Sequence, residues 1–142
     1  MRIQDILSVK GSDVVSVRPE SSVADLVALL DRRNLGAVVV STDGRTIAGI
    51  VSERDVIRRL SHGTDFLTGS VAAIMTTDVH SCSAADTVEL LMNEMTDRRI
   101  RHLPVLDDQH ELAGIVSIGD LVKSQISQLQ FERDQLEGYV AG

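Results

Sequence analysis

Ala48-Gly49-Ile50-Val51-Ser52 returns unchanged as Ala113-Gly114-Ile115-Val116-Ser117, and Asp55, three residues beyond the first copy, returns as Asp120. A repeat of this kind decides the architecture before any local reading does. Carried outward at the same shift of 65 residues, positions 13–58 fall on 78–123 without a gap. Identities also occur at Asp13, Val14, Ser16, Val23, Leu26, Arg33, Val40 and Asp43, giving 14 in 46 positions. That density, in strict order, is the mark of one unit written twice. Further upstream Ile6-Leu7 matches Ile74-Met75 at a shift of 68, so the first copy holds three extra residues around Val9-Lys10-Gly11.

Each copy carries the same string of elements. Residues 14–17 alternate as a short strand and Pro19 turns the chain. Val23, Leu26, Val27 and Leu30 then fall at i, i+3, i+4 and i+7, as do Val88, Leu91, Met92 and Met95, which predicts an amphipathic helix in both copies. Gly36-Ala37-Val38-Val39-Val40 reads as a buried strand, Asp43-Gly44 as a turn, and residues 47–51 as the returning strand before a helix opens near Ser52. The fold class is α/β (α+β), with two β-α-β-β-α units. A unit of roughly 60 residues buries too little surface alone, so the two should pack sheet against sheet about a pseudo-twofold axis. The expected organisation is repeat 1 over 1–60, a linker over 61–70, repeat 2 over 71–124 and a helical tail over 125–142. In the tail Val122, Ile126, Leu129, Leu136 and Val140 keep an apolar stripe, interrupted at Arg133, that needs a partner surface.

Composition narrows the function. The chain has 142 residues and a formal charge of −7, the wrong sign for a protein that lives on nucleic-acid phosphates. Its aromatic residues are Phe66, Phe131 and Tyr139, too few to stack bases, so a bound base must rest on aliphatic side chains. A single cysteine, Cys82, excludes an internal disulfide, and neither a signal peptide nor a long apolar run is visible; the expectation is a cytoplasmic protein with no membrane partner. Four histidines and Cys82 show no ligand spacing, so no metal is expected, and the absence of a nucleophile elbow or Walker lysine argues against an enzyme.

Gly49-Ile50-Val51-Ser52-Glu53-Arg54-Asp55 and Gly114-Ile115-Val116-Ser117-Ile118-Gly119-Asp120 share the form Gly-apolar-apolar-Ser-x-x-Asp. Each puts a hydroxyl where a strand becomes a helix and a carboxylate one turn later. The common role of such a pattern is a capping box. The other role is a nucleotide cradle, with phosphate at the helix N-terminus and serine, and ribose hydroxyls on the aspartate. Two copies with glycine at the same offset raise the second reading to stand beside the first.

These two strings, the duplicated unit, the Ile74-Met75-Thr76 start and the segment Arg101-His102-Leu103-Pro104-Val105 resemble a tandem pair of cystathionine-β-synthase (CBS) domains, a Bateman module, over about residues 1–124. The resemblance implies a regulatory module that binds adenosine-containing ligands (AMP, ADP, ATP, NAD(H) or S-adenosylmethionine) in clefts between the repeats, often as a homodimer. It assigns phosphate and ribose contacts to Ser52, Asp55, Ser117 and Asp120, and basic phosphate contacts to Arg101 and His102. The base would be surrounded by Met75, Thr76 and Val79 in one cleft and by Asp13 through Val15 in the other. The first copy has Gly36 and Ala37 where the second has Arg101 and His102, which leaves Arg54 to supply charge there. The expectation is therefore two unequal clefts, the stronger holding Ser117 and Asp120 together with Arg101 and His102. The reading is a non-catalytic sensor without a catalytic cofactor, which reports an adenine ligand to its own oligomer or to a regulated protein partner. Its rivals are a ligand-free assembly module and a nucleotide-processing enzyme.

Overall fold

Four consecutive buried residues, Ala37–Val40, form β2, the central strand of the first sheet. A run of β-branched residues suits a strand covered on both faces. The computed structural model describes residues 1–141, and side chains through residue 140. In it β2 pairs in parallel with β1 (Ser16–Val17) and antiparallel with β3 (Gly49–Ser52). The second sheet repeats this: β5 (His102–Leu106) lies between parallel β4 (Cys82–Ser83) and antiparallel β6 (Leu112–Ser117). The alternation expected over residues 14–17 yields a strand at Ser16–Val17 only, where β1 meets Val39 and Val40.

Helices α2 (Val23–Arg33) and α4 (Val88–Arg98) bury Val23, Leu26 and Leu30, and Val88, Leu91 and Met95, as their periodicity requires. Ser22 and Thr87 cap them by accepting from the Asp25 and Leu90 amides, and both helices end on a left-handed residue, Asn34 (φ 52°) and Arg99 (φ 55°). Two further helices follow the repeated strings, α3 (Glu53–Leu60) and α5 (Ile118–Ala141); α5 runs without a break through Arg133. The Asp43-Gly44 turn is held by Asp43 Oδ1, which accepts from the Arg45 and Thr46 amides, and these bonds lower the Asp43 carboxyl to about 2. Among the described residues no helix is long and apolar enough to cross a membrane.

The two cores do not follow the order of the copies. Helix α1 (Ile3–Lys10) sends Ile3 and Ile6 into the second core, among Val88, Leu91, Leu103, Val116 and Leu121. Val71 and Ile74 go the other way, into the first core with Leu26, Val38, Val51 and Val56. Each copy thus lends its leading segment to the other. Matched backbone bonds give the pseudo-twofold its physical form: Val23 N to Gly69 O is repeated as Val88 N to Met1 O, and Val71 N to Ser21 O as Ile3 N to Asp86 O. The bridges Ser22·Ser70 and Arg2·Thr87 are a third matched pair. The joining stretch 61–70 contains a short 3-10 turn, Asp65–Thr68, whose Phe66 and Leu67 pack on the first core. Cys82 is buried in the second, and burial, helped by Asp86 and Glu94, pushes its thiol up to about 12, which keeps it unreactive near neutrality.

Candidate functional site

Strand β3 ends at Ser52, whose own amide donates to Asp55 Oδ2 (2.8 Å) while its Oγ accepts from the Asp55 amide (3.3 Å). The same reciprocal pair recurs where β6 meets α5, with Ser117 N to Asp120 Oδ2 at 2.9 Å and Asp120 N to Ser117 Oγ at 3.1 Å. Both strings are therefore capping boxes, and both place a carboxylate at a helix N-terminus. A cap uses one carboxylate oxygen: Asp55 Oδ1 has no hydrogen-bond partner among the described residues.

Around Asp55 the two repeats enclose an open cleft of about 230 Å³. Seven of the residues expected at ligand sites line it together: Ser52, Arg54 and Asp55 from the first string, and Thr76, Val79, Arg101 and His102 from the second repeat. Arg58, Arg99 and His80 line it as well. Sequence reasoning misses these three, although Arg58 lies one helical turn beyond Arg54 and is visible for that reason. Four arginines against Glu53, Asp55 and Asp78 make this cleft locally cationic in a chain of charge −7. The cleft closes across the pseudo-axis at His102, where a Cβ built on Gly36 would lie 3.2 Å from its Cε1.

The grouping expected for the basic pair is not the one the chain adopts. Arg101 and His102 share a cleft with Ser52 and Asp55, whereas Ser117 and Asp120 do not line it. The cleft edge of one repeat is completed by the other because the axis sets the start of β5 against the start of β2, with Gly36 against His102. Met75 lies outside the lining: it is partly buried against the first core, its Sδ 2.8 Å from where a Gly49 Cβ would stand. Asp13 is exposed and Val15 packs on the first core, so neither reaches this cleft.

Asp120 has a different neighbour. Lys10 Nζ donates to its Oδ2 at 2.6 Å and to the Ile115 carbonyl at 2.8 Å. Burial works to raise the Asp120 carboxyl, but the bonds from Lys10 and the Ser117 amide outweigh it and hold the group below its usual range. His102 is also lowered: burial first, then the Lys10 charge, bring it below the ordinary histidine value of 6.5. An unfolded His102 therefore takes a proton at a pH where the folded one does not, and stability is lost as pH falls from 6.5 toward the folded value. We expect the unfolding midpoint to drop over this interval, and His102→Gln to flatten the dependence; an unchanged slope in that variant would count against the assignment. Among the described residues no cluster of histidine, cysteine and acidic side chains is arranged to hold a metal.

The family model described as the CBS domain matches residues 4–62 and 71–127. The chain is similar in structure to a CBS-domain containing protein from Agrobacterium tumefaciens, at TM-score 0.83 and 40% identity over 88% of this chain and 99% of that one. It is 32% identical to the CBS domain-containing protein CBSX3, mitochondrial, of Arabidopsis thaliana, over 99% of this chain and 72% of the relative. It is also similar to a CBS domain protein from Pyrobaculum aerophilum complexed with AMP, at TM-score 0.74 and 25% identity over 84% of this chain and 89% of that one.

Proposed function

The chain belongs to the CBS-domain family, and on that footing we propose that it is a non-catalytic, cytoplasmic regulatory module that binds a phosphate-bearing adenosine ligand in the cleft around Asp55. The observation that carries this reading is the convergence of Ser52 and Asp55 from one repeat with Arg101 and His102 from the other in a single cationic cleft. Asp55 Oδ1 is placed to accept from ribose hydroxyls, and the helix N-terminus with Arg54 and Arg101 to receive phosphate. Ile50 and Val79 offer the aliphatic surface that a base needs in a chain so poor in aromatics. The AMP held by the Pyrobaculum aerophilum relative supports the ligand class. The arginines favour AMP, ADP, ATP or NAD(H) over S-adenosylmethionine, which has no phosphate. Ser52 Oγ is spent on the cap, accepting from the Asp55 amide and donating to its carboxylate at 3.1 Å, which suits binding and not nucleophilic attack.

A ligand that touches both repeats stabilises the packing in which its contacts form, and shifts the population by no more than its differential affinity. The test is the thermal midpoint with AMP, ATP and NADH: ligand at 100 times its dissociation constant should add about 2.7 kcal/mol of stability. No shift with any of these or with S-adenosylmethionine would remove the reading. It would leave a ligand-free assembly module, which the two capping boxes favour as second choice.

The signal is read out through a second copy. On α5, Ile126, Leu129 and Leu136 are 50%, 55% and 66% exposed, and Ile57 of α3 is 63% exposed. Covering such a stripe is worth about 25 cal/mol per Å² of apolar surface. A homodimer of twice 15.4 kDa is the expected light-scattering result. A particle of 15.4 kDa at micromolar concentration, with and without AMP, would overturn it.

A further inference from the structure

Beyond Gln128 helix α5 leaves the body of the protein: every residue from Leu129 to Val140 is exposed, although the helix continues to Ala141. A helical stretch of this length with no packed face is marginal in water, and Gly138 weakens it further. Its apolar residues nonetheless keep a strict order. Val122, Ile126, Leu129, Arg133, Leu136 and Val140 follow one another at intervals of four, three, four, three and four residues. That is the narrow a/d seam of a two-stranded coiled coil, here about 27 Å long. Four of the six positions lie past residue 127, where the match to the CBS-domain model ends. The helix also starts at the ligand cleft, since the Ile118 amide donates to the carbonyl of Arg101 at 2.8 Å.

We propose that α5 pairs with α5 of a second copy as an antiparallel coiled coil. This rests on the homodimer reading above, and gives that dimer its interface and its direction. The direction follows from charge. In a parallel pair Arg133 would stand against the partner's Arg133, and Glu132 against the partner's Glu137 on either side; both contacts are repulsive. In an antiparallel pair Val122 faces the partner's Val140, Ile126 the partner's Leu136, and Leu129 the partner's Arg133. Each Arg133 then lays its aliphatic stem on a leucine and turns its guanidinium toward the partner's Glu132. The Glu132 carboxylates of the two copies are neighbours there, each beside a guanidinium. Lys123, which has no ion pair among the described residues, comes beside the partner's Glu137 at both ends of the seam. Phe131, also exposed, lies on the opposite face of the helix and takes no part. A single rigid element thus runs from Arg101 in the cleft of one copy to the body of the other.

The full chain is weighed by light scattering at micromolar concentration beside Leu129→Asp and Phe131→Asp, two exposed positions outside both cores. The natural chain and Phe131→Asp should each show twice 15.4 kDa, and Leu129→Asp 15.4 kDa. Direction is read with a short bis-maleimide cross-linker on Lys123→Cys, Glu137→Cys and the double variant, with the buried Cys82 left in place. The double variant should become a covalent dimer and neither single variant should, because in a single variant the two thiols sit at opposite ends of the seam. A covalent dimer from either single variant, or none from the double variant, overturns the antiparallel pairing. A mass of twice 15.4 kDa for Leu129→Asp overturns the seam while leaving the homodimer. A natural chain of 15.4 kDa overturns both, and leaves the tail to a helix of another protein.

Discussion

Arg101→Ala is expected to weaken AMP binding by about ten- to a hundredfold, because a charge-assisted hydrogen bond to phosphate is worth roughly 1.5 to 3 kcal/mol. The residue precedes β5, where its main chain is fixed by the Ile118 amide donating to its carbonyl at 2.8 Å, so the loss should fall on binding and not on folding. Arg54→Ala should weaken the same binding phase, since Arg54 and Arg101 line one cleft. Calorimetric titration of the two single variants and the double variant checks this. Two contacts on one phosphate are coupled, so the double loss should depart from the sum of the single losses. AMP affinity within twofold of the parent in Arg101→Ala would show that the phosphate is held elsewhere.

Gly49→Ala is expected to cost about 1 to 3 kcal/mol of stability, and Gly114→Ala clearly less, although the two glycines occupy the same place in the two repeats. A Cβ at Gly49 would stand 2.8 Å from both the Thr76 carbonyl oxygen and Met75 Sδ. The carbonyl cannot retreat, because Thr76 is bonded in both directions to Ile50. At Gly114 the nearest atom is Leu7 Cδ2 at 2.9 Å, the far end of a side chain that can change rotamer. Urea unfolding of the two variants reads the difference, and equal losses would show that the bridge at Thr76 yields as readily as the Leu7 side chain.

The duplication is legible in the sequence because a string such as Ala-Gly-Ile-Val-Ser, repeated with its aspartate, has few explanations other than one unit copied. The helices are legible because Val23, Leu26 and Leu30 have to share a face. Proximity across the axis is not legible. Repeat alignment says that Arg101 corresponds to Gly36, but correspondence under a twofold axis is a statement about symmetry, and the contacts are made between residues that do not correspond. That is why the sequence alone suggests Arg101 for the cleft of its own string, while the fold delivers it to the other. The three-residue insertion is plain in the alignment, yet its effect depends on helical phase: only a turn that continues through Lys10 points that ammonium at Asp120. The exchange of α1 and Val71 is hidden for a third reason. An apolar pair such as Ile3 and Ile6 announces that it will be buried, and carries no mark of which core will bury it.

That exchange also governs how the chain becomes stable as it is synthesised. The first core closes only after Val71 and Ile74 have emerged, and the second needs Leu121. At about 5 to 20 residues per second, Ile3 and Ile6 wait on the order of ten seconds for their partners, a long time for an apolar helix face to be available to chaperones or to a neighbouring nascent chain. A ribosome-bound chain halted before residue 71 holds neither core, and loss of residues 1–10 opens the core built from the far end of the sequence.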